Sequence, residues 1–340
     1  MSLGDQLAHP ITGEHLTEQQ RHRQLVESAV WADAAGFDAV HLGEHHFNDY
    51  MLSAPPIVLA AIAERAPDII LSTAVTLAAN LDPVRVAEDY ATLDLLSGGR
   101  VEIVTGRGSF FSNTFPGFGQ NVEDAREIYN ERVELLQILL REENVTWSGK
   151  HRTPLDDVTV RPRATRPDLP IWVGAGSGAS AGLAARLGCR LMLPSVFGPP
   201  EAFVHIVDIY RQAWSDAGRD EADIVIGSCC HAFISRTGQS GASDVMELFV
   251  PRYCHYWNWV SDLIAANTGG KMSMPFDLDA LLSGPAVAGS AEECIDRIGR
   301  LHDLFGHQRQ LYMFDMGGIS DSELEDNIAR FGADVLPHLP

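Results

Sequence analysis

The sequence predicts an α/β fold, a (β/α)₈ TIM barrel with inserted loops, and three observations support it. Short apolar runs alternate with helical patterns over almost the whole chain. The runs are continuous rather than alternating with polar residues, as strands buried on both faces of a parallel sheet should be. No Pro/Ser-rich linker interrupts the rhythm, so residues 1–340 read as a single domain.

Seven strands are expected at Ala39–Gly43, Ile69–Val75, Val101–Thr105, Ile171–Gly174, Arg190–Pro194, Ile224–Phe233 and Leu311–Phe314. A closed barrel needs an eighth, and the first strand is doubtful: the stretch before Thr17 offers only a brief apolar start at Met1–Leu7, then Pro10 and Gly13. The alternative is an open doubly wound sheet, but the glycine fingerprint that fold carries after its first strand is missing. Between the strands, Thr17 with Gln20 and Ser290 with Glu293 have capping-box spacing, and Asp82-Pro83 opens a helix that Gly98 closes. Glu123–Arg141 carries Ile128, Leu135, Leu136 and Leu139 on one stripe. Gly36, Gly188, Gly218, Gly306 and Gly332 are expected to end helices. One stretch, about 242–285, breaks the pattern with Tyr253-Cys254-His255-Tyr256-Trp257-Asn258-Trp259 and then Gly269-Gly270-Lys271; it reads either as an insertion packed on the barrel rim or as a substrate lid.

Composition narrows the function. Against 46 acidic residues stand 25 basic ones, a net charge of −21 that repels nucleic acid and anionic lipid. Any anion site must therefore be built locally, from a few Arg side chains and backbone N–H groups. Five scattered cysteines without metal spacing suggest a reducing compartment. With no leader-like start and no apolar run of membrane-spanning length, a cytoplasmic location is expected.

Residues just past the carboxyl ends of barrel strands point into the mouth, where such folds carry their chemistry. Three places stand out. After the second strand, Gly43-Glu44-His45-His46-Phe47 follows His41, giving four titratable side chains within six positions. One histidine here serves as an acid–base group, as a structural histidine or as a metal ligand; successive residues point in opposite directions, which argues against both His45 and His46 chelating one ion. After the fourth strand, Thr105-Gly106-Arg107-Gly108-Ser109 sets a guanidinium between glycines, which suits a phosphate or a flexible turn. After the fifth, Val173-Gly174-Ala175-Gly176-Ser177-Gly178-Ala179-Ser180 runs into an Ala-rich helix whose amino end can take an anion. Arg107 and this loop together suit a single phosphate.

These residues resemble the bacterial-luciferase-like family of flavin-dependent monooxygenases. Glu44-His45-His46-Phe47 is similar to a segment of the luciferase alpha subunit, followed in the same order by Ser72-Thr73-Ala74-Val75-Thr76, Asp82-Pro83-Val84-Arg85, Asp94-Leu95-Leu96-Ser97-Gly98-Gly99-Arg100, Gly106-Arg107-Gly108, and Gly174–Ser180 with Ala184-Ala185-Arg186-Leu187-Gly188. The match runs from about Thr17 to Leu193 and returns weakly near Gly289-Ser290 and Asp315–Gly318.

The resemblance implies a monooxygenase that uses reduced FMN and O₂ to oxygenate a small organic substrate through a C4a-hydroperoxyflavin. A separate reductase would supply the reduced FMN, and the enzyme would be a homodimer. His45 would be the catalytic histidine; Glu44, Ala74, Val75, Arg107, Gly176, Ser177 and Ser180 would contact the cofactor. Ala74–Val75 would be a non-prolyl cis peptide against the flavin ring, and no metal is implied. Two positions depart from the luciferase subunit: Gly106 replaces a cysteine and Gly176 an acidic residue, so light emission and a long-chain aldehyde do not carry over. The alternatives are an F420-dependent oxidoreductase on the same barrel, a non-catalytic flavin-binding subunit, and a metal-dependent hydrolase using His41, Glu44 and His45. The substrate stays open among an aldehyde, an alkane sulfonate and a hydrocarbon ring.

Overall fold

A computed structural model describes the chain except for residues 5, 10–11, 109–110, 197, 237–241, 271–275, 285, 317–318 and 340. Twelve strands occur among the described residues: β1 Ser2–Leu3, β2 Ala39–Leu42, β3 Ile70–Thr73, β4 Thr76–Leu77, β5 Ile103–Gly106, β6 Val145–Trp147, β7 Leu155–Val158, β8 Ile171–Gly174, β9 Arg190–Met192, β10 Ile226–Ile234, β11 Val287–Gly289 and β12 Arg309–Met313. The main sheet has the order β3-β2-β1-β12-β10-β9-β8-β5-β4, with β11 added to β10, and all its pairings are parallel. Its two ends are consecutive pieces of one strand, β3 and β4. A bridge between Leu71 and Val101 brings β3 against the run into β5, so the sheet curls into a barrel.

The doubtful first strand exists. It is two residues long, with Ser2 paired to both His41 and Met313, so β1 fills the gap between β2 and β12. A strand that short carries no periodicity; it is held by its neighbours. The buried Arg21 guanidinium donates to the Gly4 carbonyl at 2.7 Å and pairs with Asp315 at 2.5 Å, fixing the segment after β1 to the end of β12.

The expected helix signals operate as written. Thr17/Gln20 and Ser290/Glu293 form reciprocal capping boxes, and Asp82 caps a helix beginning at Pro83. Gly98, Gly188 and Gly306 close helices in the left-handed conformation. Gly332 does not: it lies inside the helix Asp321–Asp334, where a Cβ would come within 2.4 Å of the Ala35 carbonyl oxygen. Close helix approach, not termination, requires glycine there.

The barrel is plugged at the amino ends of its strands. Trp172 is fully buried and donates its indole N–H to Glu102 at 2.9 Å, while Arg190 and Arg309 pair with the same carboxylate at 2.8 and 3.2 Å and lie over the indole ring. One acid thus meets two guanidiniums and an N–H, which satisfies its buried lone pairs. Above this plug Val104, Met192 and Leu311 pack around Trp172, with Ala74, Val75 and Cys229 resting on the cluster. Only the carboxyl-end half of the barrel is left open.

The stretch 242–285, which breaks the strand–helix pattern in the sequence, is largely helical among its described residues: Ala242–Asp244, a π-helical turn Val245–Phe249, Val250–Asn267 and Leu278–Ser283. Tyr253, Tyr256, Val260 and Ile264, spaced for one helix face, pack with Tyr50, Phe233 and Met316 in a second apolar cluster over the mouth. Lys271 lies outside the described residues, as do Ser109 and the Gly317-Gly318 pair.

Candidate active site

A cavity of about 250 Å³ opens at the carboxyl ends of the strands. Glu44, His45, Ala74 and Val75 line it, so four of the eight residues singled out from sequence share one wall. The Ala74–Val75 peptide is cis and not prolyl, as the resemblance implied. It lies between β3 and β4, and the residues around it have given up their side chains. A Cβ on Gly106 would fall 2.3 Å from Val75 Cγ2, and one on Gly174 would lie 3.4 Å from Val75 Cγ1 and 3.1 Å from the Thr105 carbonyl oxygen. With Val75 in this position, a side chain at 106 would force the wall to shift, so glycine fits there.

His45 and His46, in the loop that follows β2, point in different directions. The His45 ring stacks on Tyr50, with centroids 4.2 Å apart and planes at 19°, and meets Phe111 edge-on. His46 turns the other way: its Nε2 lies 2.9 Å from Glu44 Oε1, and its ring is edge-on to Phe118. The second Glu44 oxygen, Oε2, accepts the Leu77 backbone N–H at 2.9 Å. Glu44 is buried and engaged at both oxygens, tying the end of β2 to β4. His41, fully buried, directs Nδ1 at the Thr73 carbonyl at 3.1 Å, and burial holds its pKa well below the usual histidine value. Among the described residues no group of three or more His, Cys, Asp or Glu side chains could hold a metal ion.

The other four predicted residues, Arg107, Gly176, Ser177 and Ser180, do not line the cavity; their neighbours Gly108, Gly174 and Pro194 do. They occupy adjoining strand ends. β5 and β8 pair with Thr105 opposite Val173, so the chain leaves both strands side by side, at Arg107 and at Ala175-Gly176. Ser177 caps the helix Gly178–Leu187, its Oγ 3.4 Å from the Ser180 N–H and 3.2 Å from Ser180 Oγ. Half-buried Arg107 forms no ion pair or hydrogen bond with any described residue. Burial, then the charge of nearby Arg126, lowers its pKa. A half-buried guanidinium with no acidic partner among the described residues leaves its N–H donors available to an anion.

Sequence reading missed other polar residues of the mouth. Asn80 is buried with neither carboxamide atom hydrogen-bonded to a described residue, its Oδ1 3.7 Å from where a Cβ on Gly108 would sit. Gln6 and His231 line the cavity, are also buried, and also lack partners among the described residues for their side-chain nitrogens and oxygen. Nothing in the local sequence marks them; only the closed barrel shows that they face inward.

A parallel barrel with a histidine-bearing cavity at the carboxyl ends of its strands is the architecture of barrel enzymes. The profile of the luciferase-like monooxygenases matches residues 1–308, and the chain belongs to that family. Among curated relatives, the alkanal monooxygenase alpha chain of the Kryptophanaron alfredi symbiont is 24% identical over 95% of this chain and 94% of its own. The oxygenase component of a flavin-dependent trigonelline monooxygenase from Acinetobacter baylyi is 22% identical, covering 94% and 91%. The uncharacterized protein y4vJ of Sinorhizobium fredii is 28% identical over 65% of this chain and 63% of that protein. Among solved structures, monooxygenase RslO1 from Streptomyces bottropensis superposes with a TM-score of 0.81 at 26% identity, covering 99% of both chains. Two neighbours at 18% identity share the fold. They are an F420-dependent secondary alcohol dehydrogenase (TM-score 0.76, covering 94% and 96%) and the FMN-bound oxygenating constituent of 3,6-diketocamphane monooxygenase from Pseudomonas putida (TM-score 0.74, covering 99% of both chains).

Proposed function

We propose that this chain is the oxygenase component of a two-component, FMN-dependent monooxygenase, taking reduced FMN from a separate reductase and oxygenating a small organic substrate with O₂. The observation that carries the reading is the convergence at one end of the barrel: His45 and the Ala74–Val75 peptide face one cavity, and the acid-free Arg107 stands at the next strand ends beside a helix amino terminus. Reduced FMN, when bound, supplies the electrons with which dioxygen is activated. The residues present fit that cofactor. Val75, with Gly106 and Gly174 trimmed around it, offers an apolar wall for a planar ring. Asn80 has unspent hydrogen-bonding capacity beside Gly108. Arg107, the Gly176 N–H and the Ser177 and Ser180 hydroxyls would hold the 5′-phosphate.

His45 would hold or move a proton at the reacting centre, its ring oriented by the stack on Tyr50. Glu44 would act on the cofactor indirectly, by fixing β4 through Leu77. We read 1–340 as one domain and 242–285 as its lid, the helix Val250–Asn267 excluding water from the cavity through Tyr256, Val260 and Ile264. A cytoplasmic homodimer is the expected form; exposed Ile57, Leu95 and Leu96, on two helices packed together, offer an apolar face to a second copy.

The test is a stopped-flow experiment in which protein and reduced FMN, premixed without oxygen, meet O₂. The proposal expects oxidised flavin to return through a delayed phase that His45→Ala alters. Return at the rate of free FMN, identical in the variant, would contradict it; turnover with F420 but no binding of FMN would instead establish the F420 oxidoreductase reading.

A further inference from the structure

The sheet order divides the cavity into two halves. Ala74 and Val75 between β3 and β4, Gly108 just past β5 and Gly174 at the end of β8 line the half assigned above to the flavin. Opposite lie β1, β12 and β10, with Val250–Asn267 above them. Met313 sits in register between Ser2 and His231, so these three stand at one level of the wall, and Gln6 follows four residues after Ser2 at the rim.

This second half is mostly apolar; beside Ser2, the Tyr256 hydroxyl (paired with Tyr50) and the Cys229 and Cys230 thiols (each on a backbone carbonyl), it carries the polar side chains of Gln6 and His231. Gln6 is 2% exposed and His231 is 2% exposed; among the described residues neither Oε1 nor Nε2 of Gln6, and neither ring nitrogen of His231, has a hydrogen-bond partner. Both belong to the cavity lining. They are held in place, not loose. A Cβ on Gly4 would come 2.6 Å from the Asp315 carbonyl oxygen, Arg21 grips the Gly4 carbonyl, and the Gln6 backbone bridges to Tyr50. His231 is fixed on β10 by the edges of Tyr253 and Tyr256, with centroids 4.8 and 5.4 Å away. Buried amides and imidazoles left unsatisfied cost free energy, and a pair of them in one cavity calls for a ligand that completes them.

The chemistry of that ligand follows from what surrounds them. Among the described lining residues there is no Lys or Arg, and the one acid, Glu44, is engaged at both oxygens. Burial pushes the His231 pKa down to about 3, so its ring is neutral near pH 7 and presents one donor and one acceptor. Leu193, Val196, Val260, Ile264 and Met313 supply much of the apolar surface.

We infer that Gln6 and His231 form a substrate-recognition pair that hydrogen-bonds the oxygen function of a neutral, largely apolar molecule such as a phenol or ketone. The placement rests on the flavin reading for the opposite wall. Of the substrate classes open from sequence, an alkane sulfonate is disfavoured, because no Lys or Arg among the described residues lines this half to neutralise an anion.

The experiment is calorimetric titration of 2-naphthol and naphthalene-2-sulfonate into the full-length protein, with FMN titrated separately. Wild type is expected to bind 2-naphthol at least about tenfold more tightly than the sulfonate (about 1.4 kcal/mol). Gln6→Leu and His231→Leu should each weaken 2-naphthol about tenfold while leaving FMN affinity within about twofold. His231→Gln, which keeps a donor and an acceptor, should recover most of the loss and guards against a folding defect. Failure of wild type to bind 2-naphthol, equal affinity for the sulfonate, unchanged 2-naphthol binding in both Leu variants, or loss of FMN instead of 2-naphthol would each overturn the inference. Selective loss of 2-naphthol in a protein that binds no FMN would uphold the pair while defeating the flavin reading.

Discussion

Glu44 Oε2 accepts the backbone N–H of Leu77 at 2.9 Å, so a single buried carboxylate at the end of β2 holds the strand that resumes after the cis peptide. Glu44→Ala would strand that N–H, and the account expects a loss of roughly 1–3 kcal/mol of stability in urea unfolding. Glu44→Gln retains one acceptor and should lose less. Equal unfolding midpoints for wild type and Glu44→Ala would show that β4 is held by other means.

Gly106 and Val75 are expected to be energetically coupled. Gly106→Ala places a Cβ 2.3 Å from Val75 Cγ2, which forces the cavity wall to move. Flavin affinity and stability should both fall, and Val75→Ala in the same chain should restore part of each. A double-mutant cycle measures this; additive losses would contradict the geometry.

His45→Ala should lower turnover by about 10²–10⁴-fold, the range for loss of a positioned acid–base group, with FMN affinity little changed. Steady-state kinetics and FMN titration separate the two effects. A collapse of binding with intact turnover would place His45 in the cofactor site instead.

Acid sensitivity is expected from buried neutral histidines. Burial lowers His231 to about 3 and His307 to about 4, and holds His41 well below its ordinary value. The unfolded chain therefore takes up protons first as pH falls below about 6.5, and each group removes up to about 1.4 kcal/mol per pH unit until its folded pKa is reached. Stability should be flat in this respect above pH 7 and decline from about 6.5 towards 4. Urea midpoints across that range check the sign, and His231→Leu should show a shallower slope.

Much of this fold is legible in the chain because parallel strands buried on both faces appear as continuous apolar runs, and helix caps are local chemistry. Ser2–Leu3 is not legible, since two residues have no period and owe their extended state to β2 and β12. The β6–β7 hairpin and β11 escape for a related reason: strands of three or four residues are too short to show a pattern, and the β6–β7 pair is largely solvent-facing. Glu44, His45, Ala74, Val75 and Arg107 stand out because they follow strand ends. Gln6 sits in a loop and His231 in the middle of an apolar strand, and their roles depend on which way the closed barrel turns them.

The central claim is that the mouth is a flavin site with its phosphate on Arg107 and the Gly176–Ser180 turn. Anaerobic titration of reduced FMN and reduced riboflavin into wild type and Arg107→Leu tests it most directly. The account predicts saturable FMN binding that weakens about 10–100-fold in the variant, as loss of a charge-assisted contact does, while riboflavin affinity stays unchanged. Equal affinity of wild type for the two flavins, or an Arg107→Leu variant that binds FMN as wild type does, would contradict it.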